Sequence, residues 1–275
     1  MKQEKILKNV RERYAGIARK GGSCCGPETS CCSSATPETV GKSIGYSRDE
    51  LKAAPEGANL GLGCGNPVAL ASLREGETVL DLGSGAGFDC FLAAGAVGPS
   101  GRVIGVDMTP EMLEKARENA RKGNYGNVEF RLGEIENLPA PDSSVDAVIS
   151  NCVINLSTAK DRVFAEAHRV LKPGGRVMIS DLVLSRDLPE ALAASIAAYA
   201  GCVAGAIRKE EYLRLIESAG FREVRVVVEN RFEFSLDEAD SYLRAMAGNF
   251  GVPVETLREA AGAVLSVSVF AIKPK

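Results

Sequence analysis

The chain has 275 residues, 45% of them apolar and 25% charged, with a formal net charge of −3. That balance excludes a disordered chain, a collagen-like fibre and a miniprotein held by disulfides alone, and it gives no general pull toward nucleic acid or a membrane surface. One histidine, no tryptophan and eight cysteines stand out. Two-histidine metal sites and histidine relays are thereby excluded, and polar chemistry falls to carboxylates, amides and thiols.

Met1 opens a polar, mildly basic segment without the apolar stretch of a secretory signal, so a cytoplasmic protein with reduced thiols is expected. Ile6, Val10, Tyr14 and Ile17, with Leu7 alongside, recur at helical spacing and predict an amphipathic helix docked on the protein itself. From Gly21 to Thr39 the composition turns to Gly, Ser, Pro, Thr and Cys, an irregular linker that carries Cys24, Cys25, Cys31 and Cys32.

Beyond Glu77 short apolar runs alternate with helical patterns. TVLDLG reads as a strand, followed by a helix from Phe88, the strand RVIGVDM, and a helix from Pro110 with Thr109 as its N-cap. NVEFRLG and VDAVISN are the next strands, then a helix from Ala159 to Leu171, a stop and turn at Lys172-Pro173-Gly174-Gly175, and the strand GRVMISD. The uncharged stretch Ala191 to Ile207 reads as a small-residue helix broken by Gly201 and Gly205, too weakly hydrophobic to span a bilayer. A helix from Lys209 to Ala219, the strand VRVVVEN, a helix from Leu236 to Ala247 and the strand VLSVSVFAI complete the series. The alternation predicts a Rossmann-like α/β fold, a seven-stranded and mostly parallel sheet with helices on both faces.

The first strand runs into Asp81-Leu82-Gly83-Ser84-Gly85-Ala86-Gly87, where the glycines permit a tight turn and close backbone approach by a ligand. Asp107 ends the second strand, placed to accept hydrogen bonds from two ribose hydroxyls. Dinucleotide and S-adenosylmethionine sites share this spacing, and two details favour the second. Phe88 stands where a dinucleotide turn wants Gly or Ala, and Asp81 precedes the turn, where it suits a cationic amino-acid head and would repel a pyrophosphate.

VLDLGSGAG, VIGVDM and RVLKPGG resemble motifs of the class I S-adenosylmethionine-dependent methyltransferases. The resemblance implies that Gly83, Ser84, Gly85 and Gly87 line the methionine and ribose, with Asp81 and Asn151 beside them. It implies also that Asp107 holds the ribose, Met108 covers an adenine face, and Glu134 and Ile135 meet the adenine. Plain packing for Met108 and a solvated surface for Glu134 are the competing readings. His168 sits within a helix that is structural in that family, so a histidine base is not expected.

Cys152 stands at the carboxyl end of the fourth strand, the edge that faces the transferable methyl in that fold, and Cys64 in LGLGCGNP before the first strand and Cys202 in AGCVAGA are placed so that all three thiols could converge there. Cys90, inside the helix behind the glycine turn, reads as core. Taken singly, each thiol is equally well a small buried hydrophobe. Together their flanks resemble the arsenite S-adenosylmethionine methyltransferases from about Gly41 onward. That resemblance implies Cys64, Cys152 and Cys202 as thiolates for trivalent arsenic, an arsenite substrate, and an N-terminal cysteine, among them Cys31 and Cys32, in disulfide chemistry. It implies too an external reductant such as thioredoxin or glutathione. The expected layout is residues 1–40 as helix and Cys-rich segment and 41–275 as methyltransferase domain, with substrate-binding additions around 185–210 and 232–262. Two alternatives stand beside it: a methyltransferase for a small organic acceptor such as a quinone or thiol, and a metal-binding protein in which Cys24, Cys25, Cys31 and Cys32 form a second thiol site for zinc.

Overall fold

The computed structural model describes residues 3–20, 36–231, 239–260 and 262–275. Cys24, Cys25, Cys31 and Cys32 lie outside the described residues, as do the first residues of the helix expected from Leu236.

Seven strands form one sheet: β1 (Thr78–Leu82), β2 (Arg102–Asp107), β3 (Val128–Leu132), β4 (Val145–Asn151), β5 (Leu171–Leu184), β6 (Arg222–Arg231) and β7 (Val264–Ile272), in the order β3-β2-β1-β4-β5-β7-β6. The five strands up to β5 pair in parallel, and β7 runs antiparallel between β5 and β6. Successive residues of each strand serve opposite faces. Leu80, Leu82, Ile104, Val106, Val148 and Val177 share one core with Phe164 and Tyr212, from α7 (Lys160–Val170) and α10 (Lys209–Ser218). Val79, Val103, Ala147, Ile149 and Met178 share the other with Phe91 and Leu113, from α5 (Phe88–Val97) and α6 (Pro110–Lys122). Each fully buried Phe or Leu contributes about 1.5–3 kcal/mol, so both faces of the sheet must be covered.

The strand order reverses between β1 and β4, the point at which open α/β sheets leave a crevice at their carboxyl edge. Leu82 pairs with Ser150 there, so parallel register alone sets the Gly83 turn beside Asn151 and Cys152. Above this crevice lies α1 (Gln3–Lys20), the expected amphipathic helix, which buries Ile6, Val10, Ala15 and Ala18 and packs against α6 and α9 (Ile196–Ala200).

Three details differ from the sequence reading. Lys172-Pro173-Gly174-Gly175 ends α7 as expected, but it is a bulge within β5 and not a turn before it. Leu171 already pairs with Val145, Arg176 resumes with Ala147, and the tail after β7 satisfies the bulged backbone through Gly174 N–H to the Lys273 carbonyl (2.9 Å) and Lys273 N–H to that of Gly175 (2.8 Å). Thr109 occupies the N-cap position of α6 without a side-chain cap bond; its N–H donates instead to Asp107 Oδ1 at 2.8 Å. The Ala191–Ile207 stretch holds two short helices, α8 (Glu190–Ala193) and α9, then a turn. Short helices α2 (Pro37–Ser43), α3 (Arg48–Ala53), α4 (Pro67–Leu70) and α12 (Val254–Ala260) add to those expected, and α11 is described over Ala239–Phe250. No helix among the described residues is long and apolar enough to cross a membrane.

A Cβ on Gly205 would lie 2.0 Å from the Asn155 carbonyl oxygen, a backbone atom of the 3₁₀ turn Ile154–Leu156 that cannot yield cheaply. Gly205→Ala is expected to cost about 3 kcal/mol, the upper end of overpacking, seen as a lowered urea midpoint. A midpoint equal to that of the parent chain would show that the turn bearing Cys202 moves freely away.

Candidate active site

One cleft spans the switch point. The glycine turn after β1 and the end of β2 form one wall, and Leu7, Val10 and Tyr14 of α1 line the cleft together with Cys152.

The turn has left-handed backbone at Gly83, Gly85 and Gly87. A Cβ on Gly83 would lie 2.4 Å from the Val153 side chain, whereas one on Gly85 would meet nothing within 4 Å, so the turn is tight behind and open in front. Asp107 holds it in shape, its Oδ2 accepting the Gly85 N–H at 2.9 Å. The Ser84 hydroxyl is buried on the cleft wall with no hydrogen-bond partner among the described residues.

Asp81 is buried at the cleft floor, where the Cys90 thiol donates to its Oδ2 at 3.2 Å. Beside it Asp89 accepts the Tyr46 hydroxyl (2.6 Å) and Asn151 Nδ2 (3.0 Å). Burial raises both carboxyls, Asp89 to about 6 against the pull of those two hydrogen bonds and Asp81 well above the carboxylate range with Asp89 adding to it. Neither is in an ion pair among the described residues, so the floor is complementary to a cation. Met108, Ile135 and Glu136 line the cleft beyond Asp107. Glu134 does not: its exposed carboxylate pairs with Arg11 of α1 at 3.3 Å, the solvated alternative noted for it above.

Cys64 is fixed at both backbone groups, its N–H donating to Asn151 Oδ1 (2.9 Å) and its carbonyl accepting the Ser266 hydroxyl (2.7 Å). Asn151 Nδ2 also reaches the Tyr46 hydroxyl and the Gly65 carbonyl, both at 2.9 Å, and so ties the LGLGCGNP segment to the Asp89 group. The Cys202 thiol donates to the Cys152 carbonyl at 3.1 Å and lies 4.0 Å from the Tyr14 hydroxyl. The Cys64 and Cys152 sulfurs lie within 4.8 Å of each other, and Cys202 joins them through the Cys152 backbone carbonyl. All three cysteines are buried and free.

Cys152 (φ 58°) and Cys202 (φ 64°) are both in the left-handed region, which costs a side-chain-bearing residue about 1–2 kcal/mol each. Strain of this kind persists where the surroundings fix it, as functional sites do. Burial raises the Cys64 thiol above its ordinary value despite the contact with Cys152. Cys152 is eased by its contact with Cys202, but the contact with Cys64 and burial outweigh that, and contact with Cys152 followed by burial raises Cys202. The triad is therefore protonated at neutral pH until an electrophilic centre displaces the protons. Cys90 is wholly buried in the α5 core.

Sequence reasoning missed Tyr46, Asp89, Glu136 and Asp181. Asp89 carried a signal, as the one carboxylate of an otherwise apolar helix directly after the glycine turn.

Turn, floor and strand ends define a class I methyltransferase site. A family model described as a methyltransferase domain matches residues 73–220. The chain is similar to the arsenite methyltransferase of Halobacterium salinarum, 53% identical over 81% of this chain and 59% of that one. It is similar also to the human arsenite methyltransferase, 34% identical over 84% of this chain and 62% of that one. The crystal structure of an arsenic(III) S-adenosylmethionine methyltransferase from Chlamydomonas reinhardtii superposes with a TM-score of 0.64 at 35% identity, covering 87% of this chain and 75% of that one. The chain belongs to the methyltransferase-domain family and, within it, to the arsenic(III) S-adenosylmethionine methyltransferases. It spans about three fifths of the length of the two curated relatives.

Proposed function

We propose that this chain transfers a methyl group from S-adenosylmethionine to trivalent arsenic, as arsenite held by Cys64, Cys152 and Cys202 or as methylarsenite held by two of them. The observation that carries the reading is the Cys64 and Cys152 sulfurs within 4.8 Å of each other, with Cys202 Sγ 3.1 Å from the Cys152 carbonyl and Cys152 lining the same cleft as the glycine turn.

S-adenosylmethionine supplies an electrophilic methyl on a sulfonium. The chain's own groups fit it: Asp81 and Asp89 face a cationic head without an ion-pair partner, the orphaned Ser84 hydroxyl and open Gly85 face the ligand, and Asp107 keeps lone pairs for ribose hydroxyls. Gly83 and Gly87 keep the turn tight, Met108 and Ile135 offer the adenine apolar contact, and Asn151 joins this end of the cleft to Cys64. Tyr14 and Val10 of α1 cover one side of the cleft.

Three protonated thiols suit arsenite, because each S–H proton leaves with one arsenic hydroxyl as water and no base is required. Soft sulfur ligands suit a soft centre. The lone pair left on arsenic is the nucleophile and carries no proton, in keeping with a chain that has one histidine, distant from the cleft. Holding that lone pair in line with the methyl at about 3–3.5 Å supplies roughly 7–11 kcal/mol of the barrier. Methylation formally oxidises arsenic, and cysteine thiols return the electrons by forming a disulfide that an external thiol such as thioredoxin or glutathione reduces, as in a cytoplasmic setting. The N-terminal cysteines, Cys31 and Cys32 among them, are the remaining thiols for this step.

Incubating the purified protein with S-adenosylmethionine, arsenite and a thiol is expected to give methylated arsenic by speciation. No methylated arsenic alongside turnover of a quinone or an organic thiol would overturn the proposal.

A further inference from the structure

A carboxylate that methyl transfer as described leaves unused lies against the thiols. Asp181 is wholly buried on β5, and one of its oxygens lies within 4.8 Å of the sulfurs of both Cys64 and Cys152. An anion is a poor neighbour for groups that are to become thiolates, since like charges repel. Yet the chain holds it firmly. Its Oδ1 accepts Asn155 Nδ2 and the Leu182 N–H, both at 2.9 Å, and its Oδ2 accepts the Tyr212 hydroxyl at 3.1 Å. Asn155 Nδ2 is itself anchored on the Leu182 carbonyl at 2.6 Å, and the Tyr212 ring packs edge-on against Phe164. Three neutral donors suit an ionised carboxylate and leave its charge unneutralised. Lys160 is a cation that acts on it, and that ammonium donates to the Ser157 carbonyl at 2.9 Å without forming an ion pair with Asp181 among the described residues.

Resting on the arsenic reading above, we propose that Asp181 stabilises the positive charge that arrives on arsenic during methyl transfer. In that step the bond from methyl carbon to sulfonium sulfur breaks with its electron pair remaining on sulfur, and the arsenic lone pair forms the arsenic–carbon bond. Sulfur passes from a cation to a neutral thioether, while arsenic passes from a neutral tris-thiolate to a cationic four-coordinate centre, formally from the trivalent to the pentavalent state. No proton moves and no further electron carrier is needed. A fixed anion in a water-excluded site interacts weakly with the neutral tris-thiolate and strongly with the cation that replaces it, so its effect falls on the transition state and not on binding.

Asp181→Asn keeps the shape and removes the charge. The variant is expected to bind arsenite with the affinity of the parent, measured by titration against protein mass and free-thiol count, and to lose roughly a hundredfold in single-turnover methylation at saturating S-adenosylmethionine. Asp181→Ser, smaller and free of packing conflict, is expected to show the same split, which keeps the test decisive if the asparagine variant folds poorly. Asp181→Glu, which restores the charge, is expected to recover about tenfold or more of the lost rate. A neutral variant methylating at the parental rate would overturn the inference, as would one that loses arsenite binding, which would make Asp181 a ligand or a scaffold. If the parent itself binds arsenite and forms no methylarsenic, the arsenic reading fails as a whole, a result distinct from either.

Discussion

Cys152→Ser and Cys202→Ser, at two of the proposed arsenic ligands, are each expected to abolish methyl transfer to arsenic, and Cys90→Ser to retain most of it, when the three variants are assayed side by side by arsenic speciation. Outer-shell partners of a metal site cost about 10–100-fold when removed, so loss of a sulfur that holds the substrate directly leaves less than about a hundredth of the parental rate. Serine offers a hard oxygen in place of a soft sulfur, and the remaining thiols form an incomplete pyramid. Cys90 differs in position and in task. It is buried behind the glycine turn and donates to Asp81 Oδ2 at 3.2 Å, a bond that a serine hydroxyl can also make. Equal loss in all three variants would contradict the division between substrate ligands and core. Folding is a separate readout, because the left-handed backbone at Cys152 and Cys202 is carried by serine as it is by cysteine.

Asp107→Ala, at the proposed ribose contact, is expected to weaken donor binding and leave arsenite binding intact. A hydrogen bond to a charged group is worth about 1.5–3 kcal/mol, so losing two from ribose hydroxyls lowers affinity by roughly 10²–10⁴-fold. The same change removes the acceptors of the Gly85 and Thr109 N–H groups and loosens the turn. Calorimetric titration with S-adenosylhomocysteine measures the first effect, and thiol titration with arsenite the second. The two separate because Asp107 ends β2 while Cys152 follows β4, with β1 between them. An affinity within a few-fold of the parent would place the ribose contact elsewhere.

The sheet and the glycine turn were legible because their signals are local. Short apolar runs bounded by helical patterns, and glycines followed by an acid at the next strand end, need no tertiary information. Cys64, Cys152 and Cys202 were legible only as a set, since burial alone gives no reason to separate them from Cys90. Asp181 was hidden in plain view at the end of GRVMISD, where an acid reads as the point at which a strand meets solvent. Its burial depends on β7 and on Tyr212 and Asn155 from other parts of the chain. Tyr46 was hidden for the same reason, because its hydroxyl meets Asp89 across 43 residues of sequence and Asn151 across 105. The KPGG bulge was misjudged because its partner, Lys273, lies beyond the last strand.

The position of β7 between β5 and β6 bears on how the chain is made. β6 pairs with β7, so on a growing chain it has no neighbour until residues 264–272 have left the ribosome. The half-sheet from β3 to β5, with the donor-side turn and Asn151, can assemble first. During that interval the β5 edge from Arg176 to Leu184 presents unpaired backbone groups, the kind of edge on which nascent chains associate. Ser266, which holds the Cys64 carbonyl, arrives on the same late strand. The Cys64 segment, held through its N–H by Asn151 of the earlier half-sheet, thus gains its second anchor only when β7 pairs.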